Sequence, residues 1–103
     1  MINERRAIIA AQLRESADRF CVSLRMGDGI DAAALEALKK SIVEAGEEWR
    51  SEMELPKPLV HDIVGLYSAV QGSSNVYDEE YANRVRAVAR ELETMIFRYV
   101  VPE

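Results

Sequence analysis

The feature that most constrains the fold is a regular series of large apolar residues near the end of the chain. Between residues 75 and 101 they recur at alternating gaps of four and three, at Tyr81, Val85, Val88, Leu92, Met95 and Tyr99. This spacing places all six side chains on one side of an α-helix, because a helix has about 3.6 residues per turn. A helix with one apolar side needs other helices to cover that side. The series therefore predicts an all-α protein.

Three earlier segments show the same periodicity and supply the covering helices. The pattern predicts helices over residues 4–26, 32–54, 58–71 and 76–101, separated by glycine-rich and proline-rich connections. Asn3, Asp31 and either Asn75 or Asp78 are the predicted N-caps, because their side chains accept hydrogen bonds from free backbone amides. Short connections favour antiparallel neighbours. We therefore expect residues 1–103 to form a single domain, an up-down-up-down four-helix bundle.

The negative charge of the chain is concentrated in its middle. The net charge is −5, but residues 41–80 hold nine acidic and two basic residues and so carry −7. Such a surface repels nucleic acid and anionic membranes, so we expect neither as a partner. Glu44, Glu48 and Glu52 recur every four residues and form an acidic ridge. This ridge is either a solvated face partly neutralised by arginines of a neighbouring helix, or a docking site for a basic protein.

A single cysteine, Cys21, excludes an internal disulfide and fits a reducing compartment. It lies beside the apolar stripe of the first helix, which favours a buried structural thiol. No apolar run approaches the length of a membrane span. We therefore expect a cytoplasmic protein.

The residue types required for most catalytic and metal sites do not occur in suitable patterns. His61 is the only histidine, and the positions three and four residues away on its helix are Lys57, Pro58, Val64 and Gly65, none of which suits a metal site. No phosphate-binding, dinucleotide-binding or nucleophile motif is present. We therefore expect no metal, cofactor or catalytic residue. The alternative is a small-molecule-binding or catalytic bundle that uses polar groups in its core, such as His61, Tyr67 or Trp49.

The end of the last helix is apolar on nearly every side. Phe97 projects away from the apolar stripe, toward the side where solvent is expected. One interpretation is that loops and chain termini bury this end. The other is that a second protein covers it, with Phe97, Val101 and Met53 at the centre of the contact and Tyr99 beside them.

These observations favour a protein that acts by stoichiometric protein–protein binding, as an inhibitor or adaptor, or through a homodimer. In size, acidity and helical build the chain resembles small bacterial immunity and antitoxin proteins. The resemblance is one of type and implies binding to a protein partner. No residue motif assigns the chain to a particular family.

Overall fold

The computed structural model describes residues 4–101, which form a compact helical bundle without β-strands. The predicted all-α fold is confirmed. The four helices are α1 (Glu4–Arg25), α2 (Ala32–Glu48), α3 (Lys57–Gly72) and α4 (Glu79–Met95). A 3-10 turn (Ser73–Val76) precedes α4, and a π-helical turn (Ile96–Val100) follows it. Asn3, predicted to cap the first helix, lies outside the described residues.

Consecutive helices run in opposite directions, but they do not all lie side by side. α1 packs antiparallel to α2, where the hydroxyl oxygens of Ser16 and Ser41 lie 3.2 Å apart, and α3 packs against α4. α1 also packs against α3, where Arg14 pairs with Asp62 at 3.5 Å. The end of α4 packs against α2. Thus α2 and α3 occupy opposite corners of the bundle, and the segment between them crosses from one corner to the other.

The core contains the apolar stripes that the sequence predicts for the first three helices. Buried from α1 are Ile9, Leu13, Ala17, Phe20, Cys21 and Leu24. α2 contributes Leu35, Leu38, Ile42, Ala45 and the flanking Trp49, and α3 contributes Leu59, Ile63, Leu66 and Val70. In these three helices the predicted stripe and the buried side coincide, because each stripe consists mainly of large aliphatic or aromatic side chains at helical spacing.

The buried side of α4 is rotated from the predicted stripe. Val85 and Leu92 are fully buried as expected, but Tyr99 is 36% exposed. The other buried positions are Ala82, Ala89, Ile96 and Val100. The sequence interpretation gave weight to large side chains. In the structure two alanines face the core, because small side chains at a contact let neighbouring helices approach closely.

The second helix ends earlier than predicted. It stops at Glu48 instead of residue 54, and Trp49 leaves helical geometry while its N–H still donates to the carbonyl of Ala45. Met53, predicted to extend the helix, lies in the following loop and is 99% exposed. Because α2 ends at Glu48, residues 49–56 are available to connect it to α3 at the opposite corner of the bundle.

Two tyrosines fix the turn between α1 and α2. The Gly29 N–H donates to the hydroxyl oxygen of Tyr77 at 2.9 Å, and that hydroxyl donates to the Leu24 carbonyl at 2.7 Å. The Ile30 N–H donates to the hydroxyl of Tyr81 at 2.7 Å. Gly29 has φ +85°, a conformation that favours glycine, and an added Cβ would lie 2.9 Å from the Tyr81 hydroxyl. These contacts anchor the start of α4 against the turn.

Asp31 and Asp78 act as N-caps of α2 and α4, as predicted. The Asp31 carboxylate accepts from the Ala34 N–H at 3.1 Å, and the Asp78 carboxylate accepts from the Tyr81 N–H at 2.9 Å. Asp78, rather than Asn75, caps α4, because Asn75 lies within the 3-10 turn. The start of α4 is therefore set by Asp78 and lies three residues later than predicted.

Candidate functional site

An apolar groove lies on the outer face of the bundle between α3 and the end of α4. Its volume is about 220 Å³. One wall is formed by α3 and the other by α4 and the π-helical turn. We name it the Phe97 groove, and it is lined by Val60, Ile63, Val64, Tyr67, Glu93, Ile96, Phe97 and Val101. Seven of these eight residues are aliphatic or aromatic, so exposure of the groove to water is unfavourable.

The two most exposed apolar side chains of the groove lie on its opposite walls. Val64 on α3 is 70% exposed and Phe97 is 61% exposed. Val60 and Val101 are each 36% exposed. Large apolar side chains that are exposed as a contiguous group, rather than singly, are typical of interaction sites. The groove is therefore the strongest candidate for a binding surface among the described residues.

The π-helical turn sets the position of Phe97. The Val101 N–H donates to the carbonyl of Ile96, five residues earlier, at 3.0 Å. This wider turn places both Ile96 and Val100 in the core. Phe97 lies between them in the sequence, is 61% exposed and points outward, as the sequence predicts. π-Helical turns are uncommon and often occur at functional sites.

The structure places the predicted partner-binding residues around two adjacent depressions. Phe97 and Val101 lie together in the Phe97 groove. Met53 and Tyr99 instead line a second depression, of about 300 Å³, beside Trp49 and Arg98. Val101 borders both. Met53 is therefore next to the groove rather than at its centre, because it lies in the loop after α2.

Sequence reasoning missed the α3 side of the groove. Val60, Val64 and Tyr67 follow the buried stripe of α3 by one residue each and form a second apolar stripe at helical spacing. This signal was present in the sequence. It does not by itself predict a groove, because the neighbouring stripe already gives α3 a side that faces the core. Two apolar stripes on one helix indicate a helix that is covered on two sides.

Arginines of α1 neutralise most of the acidic ridge. Glu48 accepts from Arg5 at 3.2 Å and from Arg6 at 3.4 Å, and Glu52 accepts from Arg6 at 2.8 Å. The hydrogen bond with Glu52 is the main cause that raises the pKa of Arg6. The Arg6 guanidinium also lies 5.4 Å from the centre of the Trp49 ring. This geometry favours the interpretation of the ridge as a neutralised face over that of a docking site.

Glu44 does not belong to this ion-pair cluster. It is partly buried and lines a polar depression between α1 and α2, with Lys40, Arg19 and Gln12. The three glutamates of the ridge therefore have different surroundings. Glu48, at the end of α2, and Glu52, in the segment that follows, contact α1 arginines, whereas Glu44 lies within α2. The ridge therefore does not form one continuous acidic surface.

A larger groove, of about 870 Å³, follows the exposed face of α1. It is lined by small apolar side chains and by charged side chains of both signs, among them Arg14, Asp18 and Arg19. No aromatic residue lines it. Since binding energy at protein interfaces is concentrated in large aromatic and aliphatic anchors, this groove offers a weaker basis for tight binding than the Phe97 groove.

The polar residues of the alternative hypothesis do not meet in one cavity. Trp49 is buried at the end of α2, and Tyr67 lines the Phe97 groove. The side chain of His61 is 84% exposed, and its Nδ1 lies 3.5 Å from the Asp62 carboxylate. Among residues 4–101, no group of three or more His, Cys, Asp or Glu side chains lies close enough to hold a metal ion. The described residues thus assemble no shared site from these three side chains.

Cys21 is buried on the side of α1 that lies next to α3. Burial raises the pKa of its thiol, because the negatively charged thiolate is poorly solvated there. A thiol in this environment reacts slowly. The position fits the predicted structural role in packing.

No helix within the described part of the chain is both long enough and apolar enough to span a membrane. Comparison of the chain with protein-family models, with curated proteins and with solved structures finds no match. The likeness to immunity and antitoxin proteins therefore stays a prediction.

Proposed function

We propose that the protein acts by stoichiometric binding to another polypeptide, and that the Phe97 groove is the binding surface. The observation that carries this proposal is the exposure of Phe97 and Val64 on facing walls of one apolar groove. Burying a side chain of this size stabilises a complex by about 1.5–3 kcal/mol. A partner that covers both side chains removes their apolar surface from water, and this stabilises the complex.

The shape of the groove favours a helical segment as the occupant. From Val60 to Tyr67 the α3 wall spans two helical turns, about 10 Å at 1.5 Å per residue. A groove between two helices accepts a third helix that presents apolar side chains at intervals of three and four residues. The proposed partner surface is therefore one side of an amphipathic helix.

Site-selective photo-cross-linking tests this proposal. A photoreactive amino acid replaces Val64 in one variant and Val22 in another, and both variants are expressed at the native level and also purified. Val22 is the matched control, because it is a valine that is 46% exposed on α1, outside the groove. We expect a single 1:1 product from position 64 that is lost in the Phe97→Glu background, and no such product from position 22.

Two outcomes would refute the proposal. One is the absence of a product from position 64, both in cells and with the purified protein. The other is a set of products that is the same from positions 64 and 22, which would indicate nonspecific contact. Mass spectrometry of the product identifies the partner and the peptide that touches the groove.

A further inference from the structure

We infer that the occupant of the Phe97 groove is a second copy of this chain, related by a two-fold axis. The inference rests on the proposed function of the groove and names its partner. In a two-fold contact, one surface patch meets the same patch on the other subunit, so the patch must be complementary to itself. The Phe97 groove has the shape, the net charge and the arrangement of charges along its length that such a contact requires.

The groove combines projecting and recessed apolar groups on one face. Phe97 and Val64 project, whereas Ile63 and Ile96, which are 5% and 7% exposed, lie at its base. When one copy is rotated onto the other, the Phe97 ring of each enters the recess of its partner. A surface with only projections, or only a recess, would not fit itself in this way.

The helical segments that form the groove carry no net charge. Residues 57–72 hold Lys57 and Asp62, and residues 90–101 hold two arginines and two glutamates, so each segment sums to zero. The net charge of −5 is therefore carried by the remainder of the chain. Two acidic copies can approach through this face with little repulsion, because charges further away are screened beyond about 8 Å at physiological ionic strength. A strongly basic partner would gain no electrostatic attraction here.

The two ends of the groove carry opposite charges. α3 and α4 are antiparallel, so Lys57, one turn before Val60, lies at one end, and Glu93, which lines the groove, lies toward the other. Neither side chain has an ion-pair partner among residues 4–101. A two-fold axis that lies in the interface and crosses the groove at right angles reverses the direction of the groove. Each Lys57 then faces the partner's Glu93, and the contact contains this pair twice.

A charge-swap experiment tests this arrangement. Sedimentation equilibrium, from about 1 µM to about 1 mM protein, measures the dimer dissociation constant of the native chain, Lys57→Glu, Glu93→Lys and the double variant. We expect the native chain to dimerise and each single variant to dimerise at least roughly tenfold more weakly, because two attractions become two repulsions. We expect the double variant to recover most of the native affinity.

The single variants should remain folded. Lys57 is the first residue of α3, where the helix dipole favours an acidic residue, and Glu93 has no ion pair among residues 4–101 that its reversal would break. Weaker dimerisation would therefore not be explained by unfolding. Two further substitutions separate the groove from the rest of the surface: Val64→Glu should abolish the dimer, and Met26→Glu, at a residue that is 73% exposed on the turn after α1, should leave it intact.

The native chain remaining monomeric at every concentration would overturn the inference. So would a dimer whose affinity is unaffected by Val64→Glu, or single swaps whose effects add in the double variant instead of cancelling. If cross-linking from position 64 captures a different protein while the purified chain stays monomeric, the proposed function stands and the second copy is excluded as the occupant. If neither experiment detects a contact, both proposals fail.

Discussion

Replacing Phe97 by glutamate is expected to abolish assembly while the monomer stays folded. Phe97 is 61% exposed in the isolated chain, so the substitution removes little of the core. We expect the free energy of unfolding to change by less than about 1 kcal/mol, as is usual for surface positions. In the complex the same change places a charge where an aromatic anchor was buried. Such anchors contribute about 2–4 kcal/mol each, and a two-fold contact contains two of them.

The measurement is sedimentation equilibrium combined with urea denaturation of dilute protein. Met26→Glu is the control, since it introduces the same charge at an exposed apolar residue outside the groove. Unfolding of Phe97→Glu under conditions in which Met26→Glu is native would show that Phe97 belongs to the core. In that case its removal would not report on binding.

Two glycine-to-alanine substitutions are expected to change stability in opposite directions. Gly46 lies in α2 where the π-helical turn crosses it, and an added Cβ would lie 2.7 Å from the Tyr99 carbonyl carbon and 2.9 Å from its Cβ. These distances are shorter than packed atoms tolerate, so the end of α4 must move. We expect Gly46→Ala to destabilise the protein by about 1–3 kcal/mol, the usual range for overpacking.

Gly65→Ala is the matched control on α3. Nothing lies within 4 Å of a Cβ added at Gly65, and the residue is exposed within the helix. Alanine should therefore stabilise the protein by about 0.5–1 kcal/mol through its higher helix propensity. Urea denaturation of both variants gives the comparison. An equal gain in stability from the two substitutions would contradict the close packing of α2 against the π-helical turn.

The sequence predicted the helices well because periodicity reports directly on which side of a helix is buried. In α1 to α3 each buried stripe contains several large aliphatic residues, so its direction is unambiguous. In α4 the buried side includes Ala82 and Ala89. Alanine contributes little to an apolar pattern, so Tyr81, Val88 and Tyr99 biased the predicted direction toward the surface.

The arrangement of the helices could not be predicted in the same way. Periodicity identifies the buried side of a helix but not the helix that covers it. The crossing of residues 49–56 and the contact of Gly46 with Tyr99 depend on which corners the helices occupy. The neutralisation of Glu48 by Arg5 and Arg6 also depends on α1 and α2 being antiparallel neighbours. These pairs lie more than forty residues apart in sequence.

The sequence predicted one wall of the Phe97 groove but not the other. The outward position of Phe97 followed from helical geometry alone, because it lies about 180° from the apolar stripe. The opposite wall, with Val60 and Val64, required the pairing of α3 with the end of α4. Met53 was misplaced because the predicted α2 was too long. The groove therefore forms where two helices pack together, and the sequence pattern of neither helix predicts this packing.

The most direct test of the Phe97 groove as a covered surface is the solvent accessibility of its valine methyl groups. NMR spectra of methyl-labelled protein are recorded with a soluble paramagnetic agent, which broadens signals from exposed methyl groups. In the isolated chain Val64 is 70% exposed, more than the control residues Val76 at 55% and Val22 at 46%. If a second copy covers the groove, Val64 is broadened less than both controls in concentrated protein, and this protection disappears on dilution or in Phe97→Glu. Val64 remaining the most strongly broadened of the three at every concentration would contradict a covered groove.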